Sequence, residues 1–493
     1  MSPVAEMNAQ KPARTLQVDT YSAEQPIVVA RFSAPAPCPS ELLRECEADS
    51  APGDQLRDRP VILRSGRGAP ALTKWSYGSL EAVSVHASIE NARASMQDWA
   101  YFPAERSASA ATRETSSLRP PFSGGAMGYI GYDEGFLYQA RPRVPRRSIP
   151  SGLPGSWFGL YDAIYARNET TQEGLVLAQP NDGALSRARR LTRCLSTRGR
   201  RSSTSSIGSG RLVGALETPV SQRQHEDRIR AALDFIARGE VYQVNLVCPR
   251  RGHYRGTPAA AFHRLLAQGA PPFAAYLEIG RGRAVLSASM ECFLDVDATS
   301  RTATTFPIKG TRARSDDPNA DQALAKALLT SEKDLAEHRM IVDLLRNDLG
   351  RLTRINSVVV DRCAYLESFP TVHHLTSAIR GTIPSPLHAV DLIRSMFPGG
   401  SITGVPKLRA MEIIDLLEDT PRGVSMGTIA YLGPDGALRA SVAIRTAEFV
   451  DESVTFMVGG GIVADSDPEQ EWIETEIKAQ SLTRALTASS SLT

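Results

Sequence analysis

In the second half of the chain the apolar positions keep two regular periods. Across 225–246 (HEDRIRAALDFIARGEVYQVNL) Ile229, Leu233 and Ile236 recur at helical spacing, Gly239 supplies a C-terminal stop, and Val241 to Leu246 predicts a strand. The same reasoning predicts a helix from Asp321 to Asn347, one from Pro406 to Glu418 with proline in its first turn, and a last one from Glu469 to Leu486. Strands fill the intervals: AVLSAS (284–289), TATTFPI (302–308), SVVV (357–360), GTIAYL (427–432), ASVAIRTAEF (440–449) and SVTFMV (453–458). Tight turns such as Pro434-Asp435-Gly436 join several of them, so a mixed α/β or α+β fold with a large, mainly antiparallel sheet fits better than alternating βαβ units.

The first half is punctuated differently. Residues 1–30 are polar and unpatterned and predict a frayed tail. From PVILRSGRG (60–68) onward short apolar runs alternate with Gly, Pro and Ser, and PFSGGAMGYIGYD (121–133) predicts a glycine-bent pair of strands, so 31–183 is expected to be β-rich. Residues 184–215 are dense in Arg and Ser and poor in large apolar side chains, which predicts a flexible insertion before the regular region 216–488. A basic, Ser-rich stretch of this kind is most simply solvated, although its arginines suit an acidic partner.

Composition narrows the class. The 493 residues carry 56 Lys and Arg against 54 Asp and Glu, a net charge of +2, with 42% hydrophobic and 22% charged residues. That is the profile of a water-soluble protein, not one built to coat nucleic acid, and the lack of a long uninterrupted apolar run argues against a membrane span. Cys38, Cys46, Cys194, Cys248, Cys292 and Cys363 are scattered without a CxxC and are expected to be free thiols; with no secretory leader pattern, a cytoplasmic location follows.

Candidate chemistry gathers in the regular region. Glu471 and Glu474 share one face of the last predicted helix with Lys478 a turn beyond, and Asp334 and Glu337 share a face of an earlier one. Each pair reads as a solvated acidic face or, if the two faces meet, as hard oxygen ligands for Mg²⁺. Three glycine-bearing segments, PIKGTRAR (307–314), FPGGSITGVPK (397–407) and MVGGGIVADS (457–466), read as loops that turn tightly or close their N–H groups on an anion; none contains GxxxxGK[ST]. Arg445, on the predicted strand SVAIRTAEF, suits a carboxylate clamp. Lys309 follows a strand between isoleucine and glycine: it either reaches solvent or, desolvated, becomes a nucleophilic amine.

Taken in order and spacing, PIKGTR (307–312), SEKDLAEHRMIVDLLRNDLGR (331–351), FPGGSITGVPKLRAMEII (397–414), GTIAYLG (427–433), AIRTAEF (443–449) and GGGIVADSDPEQEWIETEIKA (459–479) resemble the chorismate-utilising enzyme family. The resemblance covers about 221–486, with weaker support from 121–133 and FGLYDAIY (158–165). It implies large, mainly antiparallel sheets packed in a sandwich with helices outside. Within the family a lysine at 309 resembles the branch that aminates chorismate at C4, whereas the anthranilate-forming branch usually carries a small residue there. The implied reaction is Mg²⁺-dependent formation of 4-amino-4-deoxychorismate, toward 4-aminobenzoate and folate, with ammonia from a glutamine amidotransferase partner; no cysteine-centred glutaminase segment is seen in this chain.

By the same resemblance Glu337 and Glu474 are the implied Mg²⁺ ligands, with Glu471 and Asp334 beside them. Lys309 is the implied nucleophile at C2, Glu291 in SASMECF (287–293) the acid/base residue, and His374 in TVHHLTS (371–377) either a group near the reacting ring or a structural hydrogen-bond donor. Gln243, Thr311, Ser401, Gly404, Tyr431, Arg445, Gly459, Gly460, Gly461 and Lys478 match substrate-lining positions. Water-using relatives carry a lysine where Gln243 stands, and a neutral amide does not activate water, so ammonia chemistry is favoured over isochorismate formation. Met290 and Cys292 depart from the family's usual proline and arginine around Glu291, and VILRSGRG (61–68) only loosely resembles the family's tryptophan-pocket motif. The alternatives are an anthranilate synthase component I and a non-catalytic subunit of the same fold.

Overall fold

The computed structural model of the protein describes residues 26–43, 59–66, 74–101, 119–139, 152–196, 209–269, 271–280, 282–369 and 372–487. Two large antiparallel sheets form the frame. The 12-stranded sheet runs Ile27–Phe32, Gly174–Ala178, Ala163–Asn168, Trp75–Ser79, Val61–Arg64, Phe273–Gly280, Arg283–Ser289, Thr446–Val450, Ser453–Ile462, Gln243–Gly256 and Gly404–Val405, with Gly210–Glu217 also paired to Gln243–Gly256. The 10-stranded sheet runs Ile308–Ala313, Val372–Thr382, Thr302–Thr305, Cys292–Asp297, Leu438–Val442, Thr428–Leu432, Gly125–Ile130, Ser156–Tyr161 and Ser84–His86, with Val359–Ser368 paired to Val372–Thr382. Both sheets mix strands from 31–183 with strands from 216–488, so those regions are interleaved rather than separate bodies.

Alternation along the strands sorts the side chains into three cores. Tyr77, Tyr129, Trp157, Tyr161, Ile429 and Tyr431 pack between the sheets. The helices Asp182–Ser196, Pro258–Ala267 and Pro468–Thr487 cover the outer face of the larger sheet, and Gln222–Ala237, Glu332–Gly350, Ala389–Met396 and Lys407–Leu417 pack in the remaining cluster. Burying each large apolar side chain contributes about 1.5–3 kcal/mol, which is what holds these layers together.

Several local expectations change. The flexible insertion is a helix over Asp182–Ser196 and a strand over Gly210–Glu217; 197–208 lie outside the described residues, as do 1–25 and Cys46. Its apolar residues are few but periodic: Ala184, Leu185, Ala188, Leu191 and Leu195 are all buried on one face, while the arginines take the other. The helix expected across 321–347 is two, Pro318–Thr330 and Glu332–Gly350, because extended Ser331 breaks the path and its hydroxyl caps the second by accepting from Asp334 N at 3.3 Å. The run 440–449 splits into strands of different sheets with Arg445 at the crossing, φ +50°. Residues 307–314 and 457–466, expected as loops, lie largely in the strands Ile308–Ala313 and Ser453–Ile462. The hairpin at 434–436 forms as expected, with Gly436 at φ +92°. Cys38, Cys194, Cys248, Cys292 and Cys363 are free, and among the described residues no helix is long and apolar enough to cross a membrane.

Candidate active site

The chain passes between the sheets twice at neighbouring points, and both crossings carry functional side chains. Glu291 lies between Arg283–Ser289 of one sheet and Cys292–Asp297 of the other; Arg445 lies between Leu438–Val442 and Thr446–Val450. Their backbones are knitted together, Val442 N to Glu291 O at 3.0 Å and Ala288 N to Arg445 O at 3.0 Å. The edge strand Ile308–Ala313 of one sheet and the inner strands Gln243–Gly256 and Ser453–Ile462 of the other complete the site.

Lys309 owes its direction to a bulge. Pairing with Val372–Thr382 runs Lys309↔Leu375 and then Thr311↔His374, leaving Gly310 as the extra residue at φ +76°, a conformation that favours glycine. A Cβ placed on Gly461 would lie 3.5 Å from Lys309 Nζ and 2.9 Å from Gln243 Nε2, so the glycine keeps open the space those groups share. Burial lowers the Lys309 pKa against the pull of Glu337 and Glu291.

Glu291 complements it. Burial raises its carboxyl pKa to about 7, against a hydrogen bond from Ser401 and the charge of Lys309. A proton-bearing carboxyl and a lysine biased toward the free amine therefore share one pocket near neutral pH, the pairing general acid and nucleophilic chemistry require.

Other polar groups in the pocket lack partners. Gln243 is fully buried, with neither Oε1 nor Nε2 hydrogen-bonded among the described residues, and His374 Nε2 is likewise buried without a partner among them. His374 Nδ1 is 2.8 Å from Thr311 Oγ1, the ring packs edge-on against Phe369, and burial lowers its pKa to about 4, so the imidazole is neutral. Arg445 donates to Met290 Sδ at 2.9 Å and pairs with no carboxylate among the described residues; burial alone lowers its pKa. Unpaired buried donors of this kind are costly unless a ligand supplies the acceptors.

The acidic residues stand at the open side. Burial raises the pKa of Glu337 and of Glu471, and the charge of Glu474 adds to both. Lys478 bridges toward them, 2.6 Å from Glu474 Oε1 and 3.1 Å from Gly459 O, and Glu471 accepts from Ser466 Oγ at 2.6 Å. Among the described residues no three His, Cys, Asp or Glu side chains converge as a closed metal cage. Glu474 repels both Glu337 and Glu471, a repulsion that a hard cation keeping part of its water would relieve.

Of the expected site residues, Tyr431 points away from the site, while Asp334 and Gly404 stand beside it with their contacts given to the fold. Tyr431 faces the sandwich interior, its ring centroid 4.7 Å from Phe122 and 5.5 Å from Tyr77, because residues 429 and 431 share the inner face of their strand. Asp334 is turned to Arg312, Nη2 to Oδ2 at 2.7 Å, and packs over Gly310. Gly404, at φ +150°, permits the close pairing of Gly404–Val405 with Gln243 and Val244. Conversely, His338 is a site residue that pattern reading passed over: fully buried, 2.6 Å from Ser377 Oγ, with the Lys309 charge adding to the burial that lowers its pKa to about 4. Its position immediately after Glu337 was the available signal.

The fold and the site bring a buried lysine, a buried arginine and a carboxyl group of raised pKa together where the chain crosses between two large sheets. The profile of the chorismate binding enzyme family matches residues 71–484, and the chain belongs to that family and acts on chorismate. Aminodeoxychorismate synthase component 1 of Salmonella typhimurium is 40% identical over 356 residues, 72% of this chain and 75% of that protein. Anthranilate synthase component 1 of Streptomyces coelicolor is 37% identical over 384 residues, 74% of this chain and 73% of the relative. Among solved structures, anthranilate synthase component I from Streptococcus pneumoniae superposes with a TM-score of 0.68 at 26% identity, covering 88% of this chain and 93% of that one. The chain is thus a chorismate-utilising enzyme of the aminodeoxychorismate and anthranilate synthase type.

Proposed function

We propose that the protein aminates chorismate at C4 to give 4-amino-4-deoxychorismate, through a covalent adduct on Lys309. The observation that carries this reading is the Lys309 amine, its pKa lowered by burial, beside a Glu291 carboxyl raised to about 7. The Lys309 nitrogen forms a bond to C2 as both conjugated ring double bonds shift and the C4 hydroxyl departs; Glu291 gives that hydroxyl its proton, so it leaves as water. Ammonia then bonds to C4, both ring double bonds return, and the C2–N bond to Lys309 breaks, while the excess proton passes to Glu291. Arg445 and the Gln243 amide orient the dianion, and neutral His374 lends a hydrogen bond without adding charge.

Mg²⁺ at Glu337, Glu471 and Glu474 would supply Lewis-acid polarisation of the ring carboxylate. Ammonia comes from a glutamine amidotransferase subunit or from ammonium in solution. The test is intact-mass and peptide analysis of protein incubated with chorismate and Mg²⁺ in the absence of ammonium and then quenched: an adduct mapping to Lys309 supports the reading, and an unmodified Lys309 peptide counts against it. A second reading, anthranilate formation, is favoured by the similar identity of anthranilate synthase relatives. Fluorescent product appearing without a second enzyme would establish it.

A further inference from the structure

The two passes of chain between the sheets keep one antiparallel register through the crossing. Ser287↔Thr446 is the pair in the larger sheet and Cys292↔Ser441 the pair in the smaller; between them Ala288 N donates to Arg445 O and Val442 N to Glu291 O, each at 3.0 Å. Arg445 therefore stands opposite Ala288 and diagonal to Met290, a spacing that long side chains span. Arg445 Nη1 donates to Met290 Sδ at 2.9 Å, the one hydrogen bond found for this guanidinium among the described residues. The backbones on either side are tied further, Thr446 Oγ1 to Ser287 Oγ at 2.8 Å and Glu291 N to Ser289 Oγ at 3.2 Å. What the neighbours must still set is the direction of the long arginine side chain.

A thioether suits that task. It is an uncharged, weak acceptor, so it orients one N–H without neutralising the cation. Asp295 shows the alternative: its carboxylate accepts from Arg439 Nε at 2.6 Å and engages that arginine for the fold. A hydrocarbon in place of the sulfur would leave Arg445 to sample rotamers that binding must then freeze. His374, which feels the charge of Arg445, is kept neutral by burial and does not oppose an incoming anion with a charge of its own. Met290 also directly precedes Glu291, so one short segment serves both the arginine and the acid.

We propose that Met290 is a positioning residue for the substrate: its sulfur holds the Arg445 guanidinium so that the remaining donors meet a carboxylate of chorismate. The proposal rests on the substrate role given to Arg445 in the amination reading and adds the residue that sets its direction. It holds whichever ring carbon is aminated.

The test is steady-state kinetics of the full chain with chorismate, Mg²⁺ and ammonium chloride, on three substitutions at one position. Met290→Leu keeps the volume and removes the acceptor; it should raise the chorismate KM by about three- to tenfold with kcat within about twofold of the wild type. Met290→Gln restores an uncharged acceptor and should have a lower KM than Met290→Leu. Met290→Glu engages the arginine within the protein and should raise KM by about 10–100-fold. A residue that merely filled space would give the reverse order for the leucine and glutamine variants; that order, or a Met290→Leu KM equal to the wild type's, overturns the proposal. Should Met290→Leu not fold, equal KM values for Met290→Gln and Met290→Glu overturn it instead. Calorimetric Kd values for chorismate without ammonium should follow the same order, which decides the question even where turnover is slow. In an Arg445→Leu background, Met290→Leu should change KM by less than about twofold; the full rise there would show that Met290 acts by another route. An Arg445→Leu variant with unchanged KM defeats the substrate role of the arginine itself, whereas a raised KM in Arg445→Leu beside an unchanged one in Met290→Leu defeats only the positioning.

Discussion

Arg439 and Arg445 lie six positions apart on one stretch of chain and show what separates framework from function. Arg439 projects between the sheets and donates Nε to Asp295 Oδ1 at 2.6 Å; burial presses its pKa down, but Tyr431 and Asp295 more than offset that. Arg445, where the chain crosses to the other sheet, has burial without a carboxylate. The first is satisfied by its own fold; the second donates to the Met290 sulfur and, under the proposed function, keeps its remaining donors for the substrate dianion. The same contrast separates Tyr431, stacked among Tyr77 and Phe122, from the Gln243 amide, which has no partner.

The largest expected effect falls on the least compensated group: Lys309→Ala should abolish C4-aminated product, read by chromatography, with any residual turnover appearing as anthranilate. Unchanged product would remove the basis for a nucleophilic amine. Glu291→Gln should lower kcat by roughly 10²–10⁴-fold. In the wild type, activity should rise with pH as Lys309 loses its proton and fall as Glu291 loses its own near pH 7; the falling limb should vanish in Glu291→Gln. The same variant should gain stability at pH 8. Because the folded pKa lies above the ordinary carboxyl value, folding is weakened as pH rises from about 4.5 to 7, and the amide removes a cost on the order of 1–3 kcal/mol. Equal melting temperatures of wild type and variant at pH 8 would contradict the burial argument.

The arginine pair gives the most direct comparison. Arg445→Leu should raise the chorismate KM by roughly 10–100-fold with little loss of stability, whereas Arg439→Leu should cost about 2 kcal/mol by stranding Asp295 and leave KM nearly unchanged. Exchanged outcomes would mean that pairing does not distinguish the roles. Gln243→Ala is the smallest effect, a KM increase of about tenfold, since one orphaned amide is replaced by space.

Local periodicity made much of this legible. The helices Gln222–Ala237, Lys407–Leu417 and Pro468–Thr487, the 434–436 hairpin and the ordered motifs around Lys309, Glu337 and Glu474 follow from spacing and residue type along the chain. At 184–196 the Arg- and Ser-rich composition predicts flexibility, but the period of a few small apolar residues outweighs it and forms a helix. Glycines 459–461 suggested a loop, since a single chain does not reveal that Gly459 must pass the Leu246 carbonyl of a partner strand. Which polar groups remain unpaired was settled only in three dimensions. Tyr431 faces inward by strand parity, Asp334 turns to Arg312, His338 arrives beside Lys309 from a helix, and Arg445 sits at a crossing between sheets. Sequence fixes what a side chain can donate or accept; burial and pairing depend on distant segments, and they decide whether that capacity is spent on the fold or kept for a ligand.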